Sequence, residues 1–200
     1  VFEEGELLHT AIIPIGSEHI TADIAIGLRC PINLAERVKL EHGSSKAEAY
    51  RDSEEVNIED LLKEEGINEE MPAVKKKYLA EIIGARVEEI FEKVDEELKK
   101  IDRSGMLPGG IFLAGGGVRL NHIVDSAKNQ LRLPACIGTN NNIETVIDKV
   151  NEIEYLNALG LVAWGNQIFD EAGKGFMKSG GRIATDTFQK AKKWFSSLMP

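Results

Sequence analysis

The stretch that most constrains the fold of this sequence is residues 110–120, GIFLAGGGVRL. Its apolar run Ile111–Leu113 predicts a β-strand, which is followed at once by three glycines, Gly115, Gly116 and Gly117. Apolar residues then recur at helical spacing as far as Ala127, which predicts a helix after the glycine turn. Because glycine has no Cβ, backbone can approach a ligand closely there, and the helix would direct its free N–H groups at that ligand. Two interpretations are open: the glycines bind a nucleotide, or they serve only the packing of a βα turn.

Length and charge restrict the classes of protein to consider. The chain has 200 residues, 42% of them hydrophobic, which suits one ordinary domain or two small ones with a buried core. A formal net charge of −9 argues against a nucleic-acid-binding surface. Cys30 and Cys136 lack metal-ligand spacing, so we expect reduced thiols in a cytosolic protein. No apolar run reaches the ~18 residues that would cross a bilayer. The chain begins inside strand-like sequence, and we therefore expect it to be a fragment.

The N-terminal third predicts a hairpin and two helices. Val1–Phe2 and Leu7–Ile13 are the predicted hairpin strands. A first helix is predicted over Ala22–Leu28 with Thr21 as its N-cap, and a second over Pro31–Leu40. In the second helix Glu36 and Lys39 lie three residues apart and share a face. They form either a surface ion pair or a carboxylate for ribose hydroxyls with a cation beside the nucleotide.

The middle of the chain predicts a small subdomain inserted before the glycine strand. A short strand is possible at Glu55–Ile58, and Pro72 opens the longest predicted helix. That helix carries one apolar stripe, from Leu79 to Leu98. Beyond the glycine turn, Leu133–Gly138 predicts another strand and Glu154–Phe169 another helix.

The C-terminus predicts a tethered amphipathic helix. Glu171–Asp186 is rich in glycine and predicts a linker. Wound as a helix, the apolar residues of 188–200 fall within an arc of about 140°, with lysines on the flanks and back. Such a helix suits the interface of an anionic membrane, and the alternative is a terminal helix docked on the protein body. The residues expected at the membrane are Phe188, Lys192, Lys193, Trp194, Phe195 and Leu198.

Taken in order, these segments resemble the FtsA family, the bacterial cell-division homologues of actin. The matching segments are 13–24 (IPIGSEHITADI), 35–39 (AERVK), 79–90 (LAEIIGARVEEI), 110–117 (GIFLAGGG), 155–161 (YLNALGL) and the terminal helix. The glycine turn and the Glu-x-x-Lys helix recur across actin-like ATPases, whereas the order of the segments together with the terminal helix is specific. Ser17 departs from the family pattern, which usually has a second glycine there.

The resemblance implies an α/β, actin-like (ribonuclease H-like) lobe with a mixed sheet and helices, an inserted small α+β subdomain and a C-terminal amphipathic helix. Residues 1–43 and 104–170 would form the nucleotide-binding subdomain, 44–103 the partner-binding insert, 171–187 the linker and 188–200 the membrane helix. Glu36 and Lys39 would contact ribose and base, and the three glycines would approach the adenosine of ATP bound with Mg²⁺. Since the family's phosphate loops and metal-associated acids are not in this chain, the resemblance implies no catalytic or metal-binding residue here, and at most a very weak ATPase in the full-length protein.

The resemblance also implies partners and a location. Lys77, Arg86 and Glu89 would hold the C-terminal tail of FtsZ, so that the protein tethers FtsZ filaments to the cytoplasmic face of the membrane at the division septum. The full-length protein would self-associate into protofilaments. Two alternatives stay open: a related actin-like scaffold for pilus assembly or rod shape, and the ATP-binding lobe of a superfamily kinase. The kinase would need a catalytic aspartate, for which Asp23 and Asp125 are the candidates.

Overall fold

A computed structural model of the chain describes residues 1–66, 72–140, 143–145 and 148–178. The elements in chain order are β1 (Phe2–Glu3), β2 (Glu6–Leu7), α1 (Ser17–Leu28), α2 (Ile32–His42), β3 (Glu55–Val56), α3 (Glu59–Glu64), β4 (Val74–Lys75), α4 (Lys76–Lys100), β5 (Ile111–Leu113), α5 (Ile123–Leu131), β6 (Ala135–Ile137) and α6 (Leu156–Lys178). Single 3-10 turns occur at Ala47–Ala49, Gly116–Arg119, Asp148–Asn151 and Ile153–Tyr155.

The long helix α4 is the centre of the packing. Its predicted apolar stripe packs into the core, and Leu79, Ile83 and Val87 have no exposed surface. Side chains of this size each contribute roughly 1.5–3 kcal/mol when they leave water. Helix α4 packs against both α1 and α5. The core is therefore continuous across residues 43/44 and 103/104, where the sequence predicted subdomain boundaries.

Three two-stranded sheets lie in the described residues, whereas the family resemblance implied a mixed sheet in the lobe beside a small α+β insert. β1–β2 and β3–β4 are antiparallel, whereas β5 and β6 are parallel and are connected through α5. Parallel strands end at the same edge of their sheet, so β5 and β6 both deliver the chain to the side where the glycine turn begins. Gly110 lets β5 approach β6 closely: its φ is +71°, and the next N–H, of Ile111, donates to Pro134 O at 2.8 Å.

Several predicted boundaries differ from those of the structure. Strand β2 ends at Leu7 instead of continuing to Ile13. Thr21 is not an N-cap: α1 begins at Ser17, and Thr21 is buried inside it against α2. Helix α4 begins at Lys76 instead of Pro72, because the preceding residues pair with β3.

The glycine turn also differs from its prediction. The three glycines do not lead directly into a helix: Gly116–Arg119 forms a 3-10 turn, and α5 begins only at Ile123. The N–H groups that open α5 are therefore set back from the turn. The prediction of free helical N–H groups aimed from the turn at a ligand is wrong in this respect.

The C-terminal helix α6 continues to Lys178, so the linker predicted from Glu171 is helical in its first eight residues. A glycine inside a helix costs only about 1 kcal/mol relative to alanine, so glycine content alone does not end one. The rest of the linker and the predicted membrane helix, 188–200, lie outside the described residues. Among the helices that are described, none combines the length and the apolar character needed to span a bilayer.

Candidate functional site

A cavity of about 360 Å³ lies between the first turn of α1, the C-terminal half of α2 and the glycine turn. Four of the predicted nucleotide contacts line it, namely Glu36, Lys39, Gly116 and Gly117. Gly115 does not line it; it follows directly on Ala114, which lines a second hollow of about 360 Å³ at the ends of β5 and β6. The structure therefore brings the Glu-x-x-Lys face and the glycine turn together around one cavity.

The ammonium of Lys39 is buried and fully engaged by the protein. Its Nζ donates to Glu36 Oε2 at 2.6 Å, to Thr21 Oγ1 at 2.7 Å and to Ser17 O at 3.3 Å. A lysine has three N–H donors, so none is left for a ligand. Lys39 thus orients Glu36, and its own contact with a ligand, which the family resemblance implies, stays a prediction.

Glu36 is the exposed member of this network. Its side chain is 44% exposed, against 8% for Lys39. Only Oε2 is engaged among the described residues, by Lys39 and by the hydroxyl of Thr21 at 2.5 Å. Partial burial raises the pKa of Glu36, but the hydrogen bonds from Lys39 and Thr21 and the charge of Lys39 outweigh it, so the pKa lies below its ordinary value. Glu36 is therefore a carboxylate at neutral pH, with Oε1 available to accept hydrogen bonds.

The glycine turn needs small residues for packing as well as for access. A Cβ added to Gly117 would lie 3.3 Å from Ser17 Cβ, which is tight, whereas one added to Gly116 would make an ordinary van der Waals contact with Glu154 Cγ at 3.6 Å. Gly115 has φ +98° and ψ 169°, a conformation that is essentially restricted to glycine. The two interpretations of the glycine triplet are thus compatible, because the same lack of side chains keeps the cavity open and lets α1 approach.

Several other lining residues belong to no motif that could be recognised in the sequence. Arg119 and Glu154 line the cavity and form an ion pair, with Arg119 Nη2 donating to Glu154 Oε2 at 2.9 Å. Asn121 helps to close the cavity, since its Nδ2 donates to Gly43 O at 3.0 Å. Arg119 stands two positions beyond the glycine triplet, and that proximity is the one clue that could have pointed to it.

Charges in the cavity wall balance. Its charged residues are two acids, Glu36 and Glu154, and two bases, Lys39 and Arg119. The apolar side chains of Ile20, Leu40 and Leu120 form much of the remaining wall. Such a lining suits a neutral ligand group that has hydroxyls and a flat apolar part better than it suits a polyanion.

The predicted partner-binding residues lie away from this cavity and are paired within the protein. Arg86 on α4 donates from Nε and Nη2 to the carboxylate of Asp23 on α1, at 2.5 and 2.8 Å, and from Nη1 to Glu89 at 2.5 Å. Lys77 donates to Asp52 at 2.8 Å. Arg86 thus ties α4 to α1, a structural role that the sequence did not indicate, and its contact with a partner stays a prediction.

Comparison with known proteins identifies the family. The model of the family "Cell division protein FtsA" matches residues 1–160. FtsA of Pseudomonas aeruginosa is 27% identical over 200 residues, which cover 97% of this chain and 46% of that protein. FtsA of Bacillus subtilis is 34% identical over 162 residues, covering 81% and 34%, and that of Escherichia coli is 28% identical over 175 residues, covering 84% and 40%. The chain thus spans less than half the length of these relatives.

A solved structure shows the fold. MreB 5 of Spiroplasma citri, bound to AMPPNP, superposes with a TM-score of 0.55 at 19% identity, over 88% of this chain and 50% of that one. The predicted actin-like fold is confirmed at this level, and the predicted insert and membrane helix are not tested by it. Together with the family match, these comparisons show that the chain belongs to the FtsA family of cell division proteins.

Proposed function

We propose that this chain binds the adenosine end of ATP in the cavity beside the glycine turn, as the second lobe of an actin-like adaptor that tethers FtsZ filaments to the membrane at the division septum. The observation that carries the nucleotide part is that Glu36 lines the same cavity as Gly116 and Gly117. The likeness to an MreB bound to AMPPNP supports an adenine nucleotide as the ligand.

The chemistry of the wall fits a nucleoside. A carboxylate with a free oxygen accepts hydrogen bonds from vicinal hydroxyls, and Glu36 Oε1 can do this for the ribose. The glycine turn admits the ligand close to backbone, and the apolar wall covers the base. The cofactor proposed is ATP with Mg²⁺, of which the residues named here would hold only the adenosine.

The test of the nucleotide site is the variant Glu36→Gln. It keeps the size of the side chain and removes its charge, so we expect adenosine affinity to fall about tenfold, the usual loss for a hydrogen bond to a charged group. Glu41→Gln on the same helix is the matched control, because Glu41 pairs with Arg37 and does not line the cavity. Binding is measured by chemical-shift titration. Equal affinity in Glu36→Gln and Glu41→Gln would reject Glu36 as a ribose contact.

We also propose that this polypeptide alone does not hydrolyse ATP. Phosphoryl transfer needs donors and cations positioned around the phosphates. In the cavity wall, Lys39 has no free N–H and Arg119 is paired with glutamates. Magnesium-dependent phosphate release from ATP by the purified chain, above that of buffer, would contradict the proposal.

The proposed partner is the C-terminal tail of FtsZ, bound on α4 around Arg86 and Glu89. A guanidinium has five N–H donors, and Arg86 uses three of them internally, which leaves two for a carboxylate of the tail. We expect Arg86→Ala to weaken binding of a fluorescent FtsZ tail peptide, measured by anisotropy. Lys93→Ala is the control, since Lys93 lies on the same helix in an ion pair with Glu96. Lys77 is proposed to assist and is tested in the same way.

The membrane half of the proposal rests on the sequence pattern of residues 188–200. Two weak contacts, one with the FtsZ tail and one with lipid, become strong when self-association makes them multivalent. Replacing Trp194 and Phe195 with glutamate should abolish co-sedimentation with anionic vesicles. Unchanged co-sedimentation would reject the proposed membrane contact of residues 188–200. The location that follows is the cytoplasmic face of the membrane, with the protein peripheral to it.

The alternative of a superfamily kinase is not favoured. Its two candidate aspartates are engaged elsewhere: Asp23 binds Arg86, and Asp125 lies 3.3 Å from His122 Nδ1. Neither lines the cavity. Membership of the FtsA family likewise favours the division adaptor over a pilus-assembly or rod-shape scaffold.

A further inference from the structure

The cavity beside the glycine turn has no aromatic side chain in its wall, as far as the described residues define it. A nucleotide base is normally bound by a flat group that covers its face. Of the side chains that line this cavity, the guanidinium of Arg119 is the largest planar group. It lies on the 3-10 turn Gly116–Arg119, two positions beyond the glycines that contribute to the same wall.

Two glutamates hold this guanidinium, and one of them, Glu154, lines the same cavity. Arg119 Nε and Nη2 bind the two oxygens of the Glu154 carboxylate, and Nη2 also donates to Glu152 at 3.3 Å. A paired contact of this kind lies in the plane of the guanidinium. It therefore fixes the orientation of the plane and leaves the two faces of the group unused by these bonds.

We propose that Arg119 contacts one face of the base in this cavity, with its guanidinium stacked on the purine of the bound nucleotide. The proposal rests on the proposed nucleotide function. Glu154 and Glu152 are positioning residues, which act by holding Arg119.

The physical properties of the group fit this role. A guanidinium is delocalised and weakly hydrated, and it stacks on aromatic faces, which an ammonium does less well. Cation–π attraction strengthens as the contact is desolvated. The Arg119 side chain is 56% exposed, so a base can still cover it and displace water. Because two carboxylates already neutralise its charge, Arg119 is better suited to a base than to a phosphate.

The test compares a ligand that has a base with one that does not. Wild type, Arg119→Ala and Arg119→Lys are titrated with adenosine and with methyl β-D-ribofuranoside, and binding is followed by chemical shifts. Arg119→Lys keeps a cation near the two glutamates but removes the plane. We expect both variants to lose about five- to twentyfold in adenosine affinity and to keep their affinity for the riboside. Arg37→Lys is the matched control, because Arg37 is held by Glu41, Glu64 and Glu65 and does not line the cavity.

The outcomes separate this inference from the proposed function. If wild type binds adenosine and both variants bind it equally well, Arg119 does not contact the base, and the nucleotide site still stands. If the variants lose adenosine and riboside in the same proportion, Arg119 only shapes the cavity, and the inference is overturned. If wild type does not bind adenosine at all, the proposed nucleotide function fails and the inference fails with it. A selective loss of adenosine in Arg119→Lys, with Arg37→Lys unchanged, establishes the stack.

Discussion

Replacing Lys39 with methionine tests whether a buried ammonium holds the cavity wall together. Methionine keeps the apolar stem and removes the charge and its three hydrogen bonds, to Glu36, Thr21 and the carbonyl of Ser17. We therefore expect both the free energy of unfolding and the affinity for adenosine to fall, because Glu36 loses the group that orients it.

The size of the stability loss follows from burial. A hydrogen bond to a charged group contributes about 1.5–3 kcal/mol, and breaking a fully buried ion pair costs about 3–5 kcal/mol. Glu36 is 44% exposed, so water can replace Lys39 as its partner, and the loss stays near the lower range. We expect about 2 kcal/mol, which for a domain of this length lowers the melting temperature by about 4–8 °C.

The pH dependence provides a second readout. Because the pKa of Glu36 is lowered in the folded state, its contribution to stability is present above the unfolded pKa and is lost as the pH falls through the folded pKa. Lys39→Met removes the main cause of that lowering. The difference in unfolding free energy between wild type and variant should therefore narrow as the pH falls below the ordinary range of a glutamate.

The matched control is Lys128→Met. Lys39 and Lys128 both lie in the last turn of a helix, so both interact with the helix dipole, but Lys128 is exposed and forms no ion pair within the described residues. Its replacement should change stability by no more than about 0.5 kcal/mol. Chemical denaturation followed by circular dichroism measures both variants. Equal unfolding free energies for Lys39→Met and Lys128→Met would refute the role assigned to Lys39.

Three further outcomes are expected. Gly110→Ala should destabilise the chain by at least about 1–2 kcal/mol, because φ is +71° and the new Cβ would collide with Pro134. Gly109→Ala is the control, since a Cβ there meets nothing within 4 Å, and thermal melts should show no such destabilisation for it. Leu131→Ala should cost about 2–5 kcal/mol in unfolding free energy, since Leu131 has no exposed surface, and a change under 1 kcal/mol in urea denaturation would contradict the packing described for α5. Arg86→Ala should lower the melting temperature as well as peptide binding, because it also breaks the ion pair with Asp23 that joins α4 to α1. An unchanged melting temperature would show that this ion pair does not contribute to stability.

Much of the site could be predicted from the sequence because its elements are local. The strand at Ile111–Leu113, the glycine turn and the shared face of Glu36 and Lys39 follow from spacing within about ten residues, and the structure places the last two around one cavity. The apolar stripe of α4 is likewise a local pattern, and the structure packs it into the core.

Which cavity residues are available to a ligand and which are already paired within the protein could not be predicted, because this depends on contacts between residues that are distant in the chain. Lys39 could be recognised as a cation near the ligand, but only its contacts with Ser17 and Thr21, on another helix, show that its donors are already used. Arg119 carries no motif of its own, and it joins the wall because Glu154, 35 positions away, binds it there.

By itself, the sequence determined the family, the strand–glycine–helix order and the amphipathic faces, since these depend on residue type and short periodicities. Only the tertiary structure decided which charges are paired and which remain available. Pairing is set by the distance between atoms on different elements, and that distance is fixed by how the apolar faces of α1, α2, α4 and α5 pack together. Asp23 illustrates this: its position suggests a free acid on a helix, and packing of α1 on α4 makes it the partner of Arg86.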